Sequence, residues 1–262
     1  MSNGPIAFID SGIGGLPYLA RARAQMPSER FVYAADNGNF PYGEKSADAV
    51  RDVVINLVGR VIRRFDPRVV VVACNTATVI ALESLRATFP LPFVGVVPAV
   101  KPAAERSPFR RIGLLATSRT VGDAYLERLI RSFAADCTVV RMAGVELVDF
   151  VENRFLDDES ASSERTIRRI VEQVRQENID SLVLGCTHFT FLDQVFRKEL
   201  GTEVAIVDSR DGVARQLRRV SGDGCGESNG NPGGLLFHTG AGDSRYRRFA
   251  ERFELEYGGI LD

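Results

Sequence analysis

No run of apolar residues in this 262-residue chain is long enough to cross a bilayer, which takes about 18. The longest candidate, Val69 to Leu82, is broken by Asn75 and by threonines and alanines. The first residues lack the basic-then-apolar layout of a secretory leader. Both absences point to the cytoplasm and away from a membrane. The formal net charge is only −1, so there is no electrostatic case for nucleic acid or an anionic lipid surface. Basic pairs such as Arg63-Arg64 and Arg168-Arg169 lie among acids and read as solvated helix faces. The four cysteines, Cys74, Cys137, Cys186 and Cys225, form no C-x-x-C pair and no dense framework, so they are expected as free thiols. With two histidines and no paired-ligand spacing, a four-ligand zinc site is not expected. No lysine motif of a pyridoxal enzyme is visible. The glycine run Gly12-Ile13-Gly14-Gly15 fails as a dinucleotide fingerprint, because Pro17 stands where glycine or alanine should close it.

What is present is a normal globular balance, 45% hydrophobic and 26% charged, at a length that suits one large or two modest domains. Short apolar runs end abruptly at polar residues: Ile6–Ile9 at Asp10, Phe31–Ala35 at Asp36, and Val69–Ala73 at Cys74. Ile112–Ala116 ends at Thr117, Leu182–Gly185 at Cys186 and Val204–Val207 at Asp208. Such runs fit strands buried on both faces. Between them lie helical patterns. Val50, Val53, Val54, Leu57, Val58, Val61, Ile62 and Phe65 recur behind a Ser46 cap. Tyr125, Leu126, Leu129, Ile130 and Phe133 form a second set; Ile167, Ile170, Val171 and Val174 a third, with Ser163 as a candidate cap. Alternating strands and helices predict an α/β fold with parallel sheets, whose ligands bind beyond the carboxyl ends of the strands. The prolines from Pro90 to Pro108 suit a boundary between lobes, and Gly222–Gly234 reads as a flexible surface loop.

Cysteine is usually a small core residue, and Cys137 and Cys225 are read that way. Cys74 and Cys186 differ: each ends a strand, and each is followed by hydrogen-bonding residues. The stretch Val71–Thr76 echoes Leu182–His188, so two similar lobes would put one thiol on each side of a cleft. A thiol with a pKa of about 8.5 supplies some thiolate at neutral pH. One thiolate and one thiol are the base and acid that racemisation at a carbon requires. Asp10 and His188 are candidate proton partners. Asp10–Gly15 reads as a backbone N–H nest at a helix start, suited to a carboxylate, or as a plain tight turn. Asn75, Thr76, Thr117, Thr120 and Thr187 read as ligand contacts or helix caps, and Pro41-Tyr42-Gly43 as a turn. His238 is expected to be structural or exposed, and Glu152, on its own, a surface acid.

Taken together, D-S-G-I-G-G at Asp10–Gly15, Asp36 with Pro41-Tyr42-Gly43, Cys74-Asn75-Thr76-Ala77, Leu115-Ala116-Thr117, Gly185-Cys186-Thr187-His188 and Val207-Asp208-Ser209 resemble the glutamate racemase family over nearly the whole chain. The resemblance implies two pseudosymmetric α/β lobes with parallel-rich sheets flanked by helices and the active site in the cleft between them. The lobes would be residues 1–97 with 212–262, and residues 98–211. It implies a cofactor-independent, metal-free isomerase with Cys74 and Cys186 as catalytic acid and base. Asp10 would support Cys74; His188 and Glu152 would support Cys186. Ser11, Pro41, Tyr42, Gly43, Asn75, Thr76, Thr117, Thr120 and Thr187 would hold glutamate. The expected product is D-glutamate for peptidoglycan, and the expected assembly a homodimer. Pro17, Ala35 and Thr190 depart from the family pattern without touching the acid/base residues. An aspartate racemase of the same superfamily and a non-reacting amino-acid binder are the competing readings.

Overall fold

A computed structural model describes residues 4–122, 124–158, 165–222 and 233–262. The predicted Ser163 cap, Cys225 and most of the Gly222–Gly234 stretch lie outside the described residues. The chain forms two compact units, Met1–Val96 with Arg210–Asp262, and Val97–Ser209.

The first part of the chain alternates β1 (Ile6–Asp10), α1 (Leu16–Gln25), β2 (Phe31–Ala35), α2 (Ala47–Phe65), β3 (Val69–Val72), α3 (Asn75–Thr88) and β4 (Phe93–Gly95). The second unit follows with α4 (Val100–Arg106), β5 (Arg111–Ala116), α5 (Ser118–Val121), α6 (Ala124–Phe133), β6 (Thr138–Ala143) and α7 (Val145–Asn153). It ends with α8 (Arg165–Gln176), β7 (Ser181–Leu184), α9 (Asp193–Leu200) and β8 (Ala205–Val207). The chain then returns to the first unit through α10 (Arg210–Ser221), β9 (Gly234–His238), α11 (Asp243–Arg252) and β10 (Glu256–Ile260).

The first unit holds a six-stranded sheet in the order β10-β9-β2-β1-β3-β4, the second a four-stranded sheet in the order β6-β5-β7-β8. Every pairing in both is parallel. The α/β fold with parallel sheets is therefore the one predicted, and its cause is visible in the strands. In β1, β2 and β3 every residue is buried. Alternate residues Ala7, Ile9, Val32, Ala34, Val70 and Val72 join one core with Val54, Leu57, Val61 and Leu85 of the covering helices. Their neighbours Ile6, Phe8, Phe31 and Tyr33 are as deeply buried. Strands covered on both sides cannot alternate apolar with polar residues, so they appear in the sequence as unbroken runs.

Helix α2 starts as predicted, with the Ser46 hydroxyl accepting the Ala49 N–H at 3.2 Å. It stops at Asp66, which takes a left-handed φ of 44° before Pro67. Pro17 falls in the first turn of α1, where a missing N–H costs nothing. No helix among the described residues is long and apolar enough to cross a membrane.

Candidate active site

Parallel sheets gather the carboxyl ends of their strands at one end. In the first sheet the neighbours β9, β2, β1 and β3 deliver His238, Asp36, Asp10 and Cys74 there. Asp10 is the last residue of β1 and is 1% exposed. Its Oδ1 accepts the Ser11 N–H at 2.7 Å. The turn that follows is already partly engaged: Tyr33 Oη donates to the Gly12 carbonyl at 2.8 Å and accepts the Gly15 N–H at 3.0 Å. Cys74 is extended, with φ −142° and ψ 122°, and sits at the cap of α3 without spending its side chain on capping. Its sulfur therefore stands at the positive end of that helix. Asn75 and Thr76 open the helix and are buried, and Asn75 Oδ1 has no hydrogen-bond partner.

Asp36 organises the Pro41-Tyr42-Gly43 turn. Its carboxylate accepts Tyr42 Oη at 2.6 Å, Asn39 Nδ2 at 3.1 Å and Thr239 Oγ1 at 2.7 Å. Tyr42 titrates well above the ordinary tyrosine range, first because it is buried, then because the Asp36 charge and hydrogen bond oppose ionisation; Cys74 and Asp10 add to the effect. It is thus a neutral donor placed within electrostatic reach of both. Pro41 and Gly43 are half-buried beside it, in or next to the short 3-10 turn Tyr42–Glu44. Asp36 was conspicuous as a strand end and as a piece of the family resemblance, and its role as the hub of this turn was not foreseen.

The second unit repeats the local design. Cys186 follows β7, is extended with φ −135° and ψ 142°, and caps the 3-10 helix Thr187–Leu192 without using its side chain. His188 Nδ1 lies 4.0 Å from Cys186 Sγ, and its Nε2 lies 3.0 Å from Glu152 Oε2. The expectation of a surface acid at Glu152 is overturned. Glu152 is 2% exposed, because α7 turns it inward onto a histidine 36 positions later in the chain. Burial lowers the His188 pKa, but hydrogen bonds to Cys186 and Glu152 raise it, and the net result is a value of about 10. His188 is accordingly an imidazolium at neutral pH, a donor at both nitrogens.

Thr117 caps α5, accepting the Thr120 N–H at 3.4 Å, and the two hydroxyls lie 3.0 Å apart. Thr187 is buried, and its carbonyl accepts the Thr190 hydroxyl at 2.7 Å, which gives that departure from the family pattern a structural role. His238 is not exposed. It is stacked with Tyr246 and Tyr257 and bonds Gly240 O at 2.7 Å and Tyr257 Oη at 2.8 Å, a structural histidine. Cys137 is half-buried beside the second core rather than within it. Among the described residues, no group of three or more His, Cys, Asp and Glu is arranged to hold a metal ion. A cavity of about 550 Å³, lined by Arg30, Arg64, Phe65, Leu235 and Glu256 among others, lies where the strands of the first sheet begin, at the end opposite Cys74.

Two parallel α/β units, each with a buried cysteine at a strand's carboxyl end, are the features to set beside known proteins. Residues 18–217 match the family model described as Asp/Glu/Hydantoin racemase. A protein of Treponema pallidum (strain Nichols) named glutamate racemase is 37% identical over 260 residues, 98% of this chain and 96% of that one. A glutamate racemase of Sphingopyxis alaskensis is 42% identical over 220 residues, 83% and 82% of the two chains. The crystal structure of Escherichia coli glutamate racemase in complex with L-glutamate and the activator UDP-MurNAc-ala superposes with a TM-score of 0.85 at 30% identity, covering 98% of each chain. The Thermus thermophilus glutamate racemase in complex with β-chloro-D-alanine gives 0.77 at 31% identity over 98% and 96%. The chain belongs to the Asp/Glu/hydantoin racemase family.

Proposed function

We propose that this protein interconverts L- and D-glutamate without a cofactor, using Cys74 and Cys186 as two bases of alternating role. The observation that carries the reading is the repeated setting of the two cysteines. Each is buried, extended, at a strand's carboxyl end and at a helix cap, with its side chain free of capping duty. In this reading Cys186 as thiolate removes the α-proton of L-glutamate, and Cys74 as thiol returns a proton to the opposite face. The D enantiomer runs the steps in reverse. Asp10 supports Cys74, and the His188–Glu152 pair supports Cys186. Ser11 and the turn behind it hold the substrate carboxylate. The buried, unpartnered Oδ1 of Asn75 suits the substrate ammonium, since a buried acceptor left unmet is costly. Tyr42, Thr76, Thr117, Thr120 and Thr187, with Pro41 and Gly43 shaping the turn, complete the contacts.

Glutamate is favoured over aspartate because His188 follows Cys186, and because the relatives of 37–42% identity named above are glutamate racemases. The product would serve cell-wall peptidoglycan in the cytoplasm, made by a homodimer. The test is to incubate dialysed, chelator-treated protein with L-glutamate, without pyridoxal phosphate, and resolve the enantiomers chromatographically. D-glutamate should accumulate to an equal mixture. Activity that needs added pyridoxal phosphate or metal would overturn the mechanism; turnover of aspartate at a comparable rate would overturn the substrate.

A further inference from the structure

We infer that Tyr33 is a positioning residue for substrate binding, its phenol fixing the shape of the Ser11–Gly15 turn. The inference rests on the reading above, in which that turn holds the substrate carboxylate. Tyr33 belongs to β2, the strand beside β1, and is fully buried. A buried phenol must find partners. Here it donates to the Gly12 carbonyl at 2.8 Å and accepts the Gly15 N–H at 3.0 Å. One side chain from a neighbouring strand thus ties together two backbone groups three residues apart.

The turn needs such a tie. Three of the residues from Ser11 to Gly15 are glycines, which have the widest backbone freedom and the most to lose on ordering. Gly12 and Gly15 are both buried, so water is a poor substitute for the phenol. The turn is also wedged from below. A Cβ on Gly15 would lie 2.6 Å from Ala73 Cβ and 3.0 Å from Tyr33 Oη, so the backbone is clasped between the phenol and the residue preceding Cys74. Ala73 is itself fixed, its N–H bonding Ile9 O at 2.7 Å. The phenol therefore sets both the direction of the turn's amides and their distance from the Cys74 backbone. It acts through the turn, not on the substrate.

Replacing Tyr33 by Phe keeps the ring and removes the oxygen. The expected result is a KM raised about tenfold for both enantiomers with kcat within about threefold, the signature of binding shared by ground and transition states. A general loss of folded protein would lower apparent kcat and leave KM alone. Unchanged KM, or a tenfold loss of kcat with KM held, overturns the inference. If Tyr33→Phe does not fold, Gly15→Ala displaces the same turn while leaving the phenol intact, and should raise KM likewise; an unchanged KM there also overturns it. An inactive wild type would defeat the racemase reading and this inference with it. An active wild type with a kinetically normal Tyr33→Phe would defeat the inference alone.

Discussion

At the scale of single residues, the two thiols carry the sharpest expectations. Cys74→Ser and Cys186→Ser should each lower racemisation by at least about 100-fold, because a hydroxyl is a far weaker base than a thiol near neutral pH. Elimination from a β-chloro amino acid needs one base, so each variant should retain it with one enantiomer only. Cys74→Ser racemising at the wild-type rate would contradict the scheme. His188→Asn should lower kcat for L-to-D more than for D-to-L. The two kcat/KM values must still fall together, because the equilibrium constant of a racemisation is one. The buried imidazolium has a second consequence. Its folded pKa of about 10 lies above the ordinary 6.5, so its stabilising effect is fully present below about pH 6.5 and is lost as pH rises through 10. The difference in Tm between wild type and His188→Asn should be widest near pH 6 and shrink steadily toward pH 10. A difference that does not change with pH would show that the imidazole is neutral. Both cysteines were legible as unusual from strand ends alone. Glu152 was not, because its neighbours Asp149 and Asn153 make that stretch look solvated, and only tertiary packing against His188 buries it.

At the scale of elements, α2 offers a comparison of two kinds of stabilisation. The Ser46 cap is exposed and satisfies one N–H, so Ser46→Ala should cost about 1 kcal/mol. Leu57 is 1% exposed within the first core, so Leu57→Ala should cost about 2–5 kcal/mol. Chemical denaturation of the two variants checks both values, and equal losses would mean that the helix is held by its end rather than its face. Most elements visible in the sequence are inner, buried strands: β1, β2, β3, β5 and β7 appear as apolar runs, and the short edge strand β8 does so as well because Ile206 and Val207 are buried. Those that were missed lie at edges, are very short, or sit beside a stretch of different composition. β6 and β10 are edge strands with mostly half-exposed residues, so neither shows a run. β4 has three residues set among prolines. β9 begins directly after a glycine-rich stretch that dominates its local composition.

At the scale of the whole molecule, selectivity is the property to measure. Glutamate and aspartate differ by one methylene, which alone supplies roughly 10–200-fold discrimination. A misplaced side-chain carboxylate would add the cost of unmet buried donors. kcat/KM for L-glutamate should therefore exceed that for L-aspartate by at least about 100-fold. Polarimetry with both amino acids under the same conditions decides it.

The order of strands in the first sheet also bears on how the protein is made. β9 pairs with β2 along its full length, although some 200 residues separate them in the chain. Asn37 accepts the N–H groups of Thr239 and Gly240 and donates to Ala241 O, and Gly38 and Gly240 meet so closely that a side chain on Gly240 would lie 2.9 Å from Gly38 Cα. A ribosome must therefore release almost the entire polypeptide before β2 acquires its outer neighbour. Until then β2 presents an open edge, the kind of surface on which chains pair with one another. Nascent chains stalled after Ser221 should accumulate as aggregates or chaperone-bound species, while full-length chains leave the ribosome soluble.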